Sequence, residues 1–125
     1  MTAKIASDEL ARRLHRALAL AGNTHTVEDI QSGIAVGKMQ CFSEGDSFVV
    51  TEIVQEPQAR YLNVFLAVGD LSVVNLIPKL EAFAQEAGCA WMQTLGRPGW
   101  KSVLPKLGWK PTHVLFVRPI GHKDG

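Results

Sequence analysis

Arg60-Tyr61-Leu62-Asn63-Val64-Phe65-Leu66-Ala67-Val68-Gly69 is rich in β-branched, aromatic and aliphatic residues, as a strand buried on at least one face requires. The segment after it sets the architecture. Residues 71–87 bring Val73, Leu76, Ile77, Leu80, Phe83, Ala84 and Ala87 onto one helical face, wide enough to cover a sheet. Pro78 cannot donate the hydrogen bond of a continuing helix, so either the axis bends there or an irregular first turn precedes a helix starting near Ile77. Gly88 is suited to close it. The nearly continuous apolar run 89–95 predicts a strand covered on both faces, in the sheet centre. Arg97-Pro98-Gly99 then turns the chain into a helix of about two turns, with Trp100, Val103, Leu104 and Leu107 facing inward and Gly108 at its end. Residues 112–118 supply a last strand, which completes the order strand, helix, strand, helix, strand.

Upstream of this unit, Ser7 with Asp8 and Glu9 offers a cap and an acidic first turn, and Leu10, Leu14, Ala17, Leu18 and Ala21 recur at helical spacing. Thr26 with Asp29 resembles a capping arrangement for a second, short helix that carries a stripe of Val27, Ile30 and Ile34 and stops by Gly37. Residues 39–43 and 47–54 around Glu44-Gly45-Asp46 read as a hairpin, and with 61–68 they form a three-stranded antiparallel meander. A chain of 125 residues holds one complete core and is too short for two ordinary domains, so a single domain over 1–125 is expected, with a frayed tail at 121–125. The class is α+β, a mixed sheet with helices on both faces.

The net charge of +1 gives no global case for a polyanionic partner, because nonspecific nucleic-acid binding leaves a strongly basic footprint. Arg12, Arg13 and Arg16 cluster on the first helix and read as a solvated face. Cys41 and Cys89 stand far apart with no CxxC spacing, no signal-peptide pattern opens the chain, and no apolar run approaches a membrane span. These features predict a cytoplasmic protein with buried, reduced thiols. His15, His25, His113 and His122 lack the close pair spacing of zinc sites, so no metal is expected.

Residues 80–89, Leu-Glu-Ala-Phe-Ala-Gln-Glu-Ala-Gly-Cys, and the block Lys106-Leu107-Gly108-Trp109 resemble the end of the long helix and the Lys-Leu-Gly-Phe block of the GNAT N-acetyltransferases. The order of elements over 26–120, after an extra N-terminal helix in 1–24, is also similar to that superfamily, and in particular to small GNAT-like proteins carried by tailed bacteriophages. The resemblance implies an acyl-CoA N-acyltransferase fold, with acetyl-CoA or another acyl-CoA held where the third meander strand meets the long helix. In the family, backbone N–H groups of Arg/Gln-Gly-x-Gly-x-Gly/Ala cradle the pyrophosphate at a helix N-terminus. The corresponding residues are Val68, Gly69, Asp70, Leu71, Ser72 and Val73, of which only the first glycine matches. Leu71 and Val73 crowd the phosphate position, Asp70 adds an anion and suits an N-cap, so a degenerate loop with weak cofactor binding is implied. The family's tyrosine general acid falls on Leu104, which cannot donate a proton.

Glu52 shares a strand face with Phe48, Val50 and Val54, so it either enters a pocket or marks an edge. In a pocket it could accept a proton from an amine, as general bases of this family do; on an edge it is an exposed or paired carboxylate. His113 could do similar work, or serve as a hydrogen-bonded structural histidine. Arg97 and Trp100 could together recognise an anion or planar group, or simply cap the core. Two functions fit these residues. One is acyl-CoA-dependent transfer to an amine-bearing small molecule or protein, with attack in the splay between the strands 61–68 and 89–95 and Glu52 as base. The other is a noncatalytic phage or bacterial accessory protein that kept the fold and binds a protein partner. A nucleic-acid-associated regulator using the arginines is a third, against which the charge balance argues.

Overall fold

A computed structural model describes residues 8–20, 24–69, 71–95 and 98–121. The chain divides into two compact units, Met1–Thr94 and Leu95–Gly125.

The first unit contains α1 (Asp8–Leu20), α2 (Val27–Ala35), β1 (Met39–Glu44), β2 (Ser47–Gln55), β3 (Arg60–Val68), a 3-10 stretch (Leu71–Leu76), α3 (Ile77–Glu86) and β4 (Trp91–Thr94). The strands form one sheet in the order β1-β2-β3-β4. The first three are the expected antiparallel meander, turned between β1 and β2 at Gly45 with φ +59°, and β4 runs parallel to β3.

Period-2 alternation assigns the two faces. Met39, Cys41, Phe48 and Val50 join Leu14 and Leu18 of α1 and Ile30 of α2 in one core, with Val27 and Ile34 packed at its edge, so the α2 stripe lies where its spacing put it. Their neighbours Gln40, Phe42, Val49 and Thr51 are buried on the opposite face, against which the 3-10 stretch packs. There Phe42 meets Phe83 edge to face at 5.5 Å, Leu76 and Leu80 are buried, and the Thr51 hydroxyl donates to Gln40 Oε1 at 2.8 Å. Helices thus cover both faces of a mixed sheet.

Local signals explain most element ends. The Thr26 hydroxyl accepts the Asp29 N–H at 3.1 Å while Asp29 Oδ2 accepts the Thr26 N–H at 2.8 Å, a reciprocal cap on α2. α3 starts at Ile77 with Pro78 in its first turn, so the irregular-turn alternative holds: proline there lacks only a donor that would be unpaired anyway. At the other end Gly88, φ +77°, lets Cys89 N–H reach Ala84 O at 2.9 Å and its own N–H reach Gln85 O at 3.1 Å.

Three expectations are corrected. β4 is four residues long and is an edge strand among the described residues rather than central, with Trp91 47% exposed. The apolar run 89–92 supplied side chains for burial but carried no information about a neighbour beyond it; Trp91 instead stacks on Tyr61 at 5.3 Å and bonds Gln93 Oε1. In the second unit, residues 112–118 are assigned no strand, and Val114, Leu115, Phe116 and Val117 are exposed. The expected short helix is two 3-10 segments, Pro98–Ser102 and Leu104–Leu107, because Pro105 has no N–H with which to continue an α-helix. Gly108 ends the second at φ +90°, as its position predicted.

The thiols differ in accessibility. Cys41 is buried, and burial pushes it up to about 11; Cys89 is only partly buried, and burial raises it too, opposed by Arg60, which favours its thiolate. A thiol reagent should label the native protein at Cys89 and reach Cys41 only on unfolding; equal labelling of both would contradict this burial. Because the Cys41 thiol titrates above its ordinary 9.0 in the folded state, its contribution to stability is complete below pH 9 and is lost as pH rises towards 11. Denaturant midpoints should fall over that window, and less steeply in Cys41→Ala.

Candidate active site

α2 and its C-terminal cap residue present Asp29, Ser32, Gly33 and Val36 at spacings of three and four, on the side of the helix away from Ile30 and Ile34. This small and polar strip forms one wall of an open groove of about 540 Å³. Met39 and Glu52, paired across β1 and β2, also line it, as do Thr24, His25 and Lys38. Gly33 keeps that wall thin: a Cβ there would stand 3.0 Å from Met39 Sδ.

Glu52 is half-buried, and its Oε2 accepts a hydrogen bond from Asn63 Nδ2 at 3.0 Å. That partner is neutral, so the bond fixes the carboxylate without cancelling its charge. The Thr26 backbone and side-chain bonds hold Asp29 below the usual carboxylate range, so it is an anion at neutral pH. His25 hydrogen-bonds through Nδ1 to the Thr24 hydroxyl at 2.8 Å and meets the Phe65 ring edge to face at 4.7 Å.

Phe65 connects the groove to the strand junction. Val50 pairs with Leu66 and Thr51 with Val64, which leaves Phe65 as an extra residue in β3. The bulge changes the parity of the strand: Asn63 shares the face of Glu52 below it, and Leu66 and Val68 occupy that same face above it. Parallel pairing of β3 with β4 covers Tyr61 through Val64 opposite Trp91 through Thr94, and Thr94 Oγ1 donates to Val64 O at 3.0 Å. Past this level β3 continues beside β2 alone among the described residues, so its pairing with β4 ends next to the bulge.

The sequence-derived residues scatter more widely. Glu52 enters the groove. Val68 and Val73 are buried in the core. Gly69, φ +134°, abuts β2: an added Cβ would lie 2.7 Å from Ser47 Cβ and 2.9 Å from its Cα. Gly69→Ala should therefore cost about 1–3 kcal/mol, read from the denaturant midpoint; an unchanged midpoint would mean that this approach is looser. Leu71 and Ser72 belong to the 3-10 stretch, while Asp70 and Arg97 lie outside the described residues. Trp100 is half-buried in the Pro98–Ser102 segment, and His113 is exposed and bonded to the Thr112 hydroxyl at 2.7 Å.

Four groove or junction residues, His25, Asp29, Lys38 and Asn63, escaped the sequence reading as site residues. The signal for Asp29 was present in the polar strip it shares with Ser32 and Gly33, but its capping role accounted for it fully. Among the described residues no group of three or more His, Cys, Asp or Glu side chains is placed to hold a metal ion. No described helix is long and apolar enough to cross a membrane.

No family model and no curated protein matches this sequence. Among solved structures, it is similar to a point mutant of the BH1408 protein from Bacillus halodurans, at TM-score 0.71 and 12% identity over 96% of this chain and 98% of the other. An acetyltransferase from Trypanosoma brucei aligns at TM-score 0.62 and 12% identity, covering 94% and 97% of the two chains. An aminoglycoside acetyltransferase from an uncultured soil metagenomic sample, solved in complex with sisomicin, aligns at TM-score 0.61 and 9% identity over 90% and 91%. With a mixed sheet and helices on both faces, the chain has the GNAT-like acetyltransferase fold.

Proposed function

We propose that this protein is an acyl-CoA-dependent N-acyltransferase whose amine acceptor lies in the α2 groove. The observation that carries the reading is the ring contact between His25 and Phe65: His25 lines the groove that holds Glu52, and Phe65 is the bulge residue of β3 next to the end of its pairing with β4. An acyl-CoA, when bound, supplies a thioester activated towards an amine. Glu52, steadied by Asn63, orients the incoming ammonium and takes its proton, so that a neutral nitrogen is presented towards the splay. Asp29 and Glu52 also draw a cationic acceptor in from solvent.

The residues fit different parts of the donor unequally. From Phe65 to Val68 the extended backbone of β3 offers peptide groups to the amide-bearing arm of an acyl-CoA. A pyrophosphate cradle is not favoured by a glycine packed on Ser47, a 3-10 stretch before the α-helix and a buried Val73. Acetyl-CoA should consequently bind no tighter than high micromolar by calorimetry, and a low-micromolar isotherm would show that the loop does hold phosphate.

That same crowding favours a second reading, an accessory protein of phage or bacterial origin that kept the fold and binds a protein partner. The two separate in one experiment. Amine-dependent release of free thiol from acetyl-CoA supports the enzyme; absence of release across monoamines, diamines, amino acids and aminoglycosides supports the accessory protein. Cytoplasmic location is part of the same proposal, consistent with the two free cysteines.

A further inference from the structure

The charges and apolar surfaces of the groove are specific enough to name the class of its ligand. Its lining includes Asp29, Glu52, Lys38 and His25 together with the aliphatic side chains of Val36 and Met39, Val36 being 68% exposed. Beside His25, the groove's two carboxylates and one ammonium complement a molecule with two cations and one anion, joined by an apolar chain. A simple diamine would satisfy the carboxylates but would meet Lys38 with a like charge; a monoamine carrying a carboxylate would leave one anion without a partner. We infer that the groove takes a free basic amino acid: one ammonium at Asp29, the other at Glu52, the carboxylate at Lys38 and the methylene chain along Val36 and Met39. The assignment rests on the proposed acyltransferase reading only for its consequence, that the nitrogen at Glu52 is the one acylated.

Asp29 suits an anchoring role because its charge is held by bonds internal to α2. Its Oδ2 accepts the Thr26 N–H, and the helix cap keeps that side chain in place whether or not a ligand is present. Glu52 is fixed in turn by Asn63 from the neighbouring strand. Both anions are therefore set before binding, which lowers the ordering cost that a flexible site would incur.

The test is a calorimetric titration of the full chain with L-lysine and three relatives that each lack one feature: 1,5-diaminopentane without the carboxylate, 6-aminohexanoate without the α-amine, and Nα-acetyl-L-lysine amide, which stands for a lysine within a protein. L-Lysine should bind at least tenfold tighter than each of the three. Asp29→Asn keeps an oxygen for the Thr26 cap, so circular dichroism should be unchanged while L-lysine affinity falls about tenfold or more. Lys38→Met should erase the preference for L-lysine over 1,5-diaminopentane. Failure of L-lysine to bind, or affinity no better than that of 1,5-diaminopentane, overturns the inference. Equal binding of Nα-acetyl-L-lysine amide overturns it also and identifies a protein side chain as the ligand. Tight binding of L-lysine without any acyl transfer leaves this assignment standing and removes the acyltransferase reading. Transfer to other amines with no binding of L-lysine does the reverse.

Discussion

Glu52→Gln is expected to lower acyl transfer by about 10²-fold or more while leaving the fold and acetyl-CoA affinity unchanged. The amide has the size of the carboxylate and can still bond to Asn63, after a flip that presents its oxygen to Nδ2, so the strand pairing at this level is preserved. What it loses is the capacity to take a proton. The loss should fall mainly on kcat, with a smaller rise in KM from the missing attraction for an ammonium. Equal activity of wild type and Glu52→Gln, with both folded, would remove Glu52 from the chemistry and return it to the structural pairing with Asn63.

The largest effect on stability should follow Phe48→Ala, at about 3–5 kcal/mol. Phe48 is 1% exposed and belongs to the core formed by α1, α2 and the sheet, where its removal leaves a cavity between layers that cannot easily close. Leu80→Ala should cost somewhat less, about 2–4 kcal/mol, on the opposite face. Phe83, which shares the helical face with Leu80 in the sequence, is only half-buried against Phe42, so its truncation should cost less than that of Phe48. Urea unfolding of the three variants orders them directly, and a Phe83→Ala loss exceeding that of Phe48→Ala would mean that the weight of the core lies on the α3 side.

How far the molecule was legible in its sequence depended on whether the determinant was local. The meander, the Thr26 and Asp29 cap, the start of α3 around Pro78 and the glycines at 88 and 108 are dictated by residues within a few positions of one another, and each lies where expected. The position of β4 was not local. Cys89, Ala90, Trp91 and Met92 are apolar in any sheet, and only pairing with a distant segment would distinguish a centre from an edge. Residues 112–118 carry strand propensity, but propensity cannot supply a partner. The groove was hidden for a related reason: α2 contributes three lining residues and β1 and β2 one each, and the bulge that sets Phe65 against His25 is a property of the β2 and β3 register rather than of either strand alone. Glu52 was visible because a carboxylate interrupting an otherwise apolar strand face must be explained by something beyond that strand.

Amine acylation through the groove is measured most directly as release of CoA thiol from acetyl-CoA, followed continuously with and without an amine panel containing L-lysine. Release should depend on the amine, be matched by an equal amount of N-acetylated product in the mass spectrum, require high donor concentration, and fall about 10²-fold in Glu52→Gln. Thiol release no greater than the protein-free background with every amine, even at millimolar acetyl-CoA, would contradict it and leave the accessory-protein reading in its place.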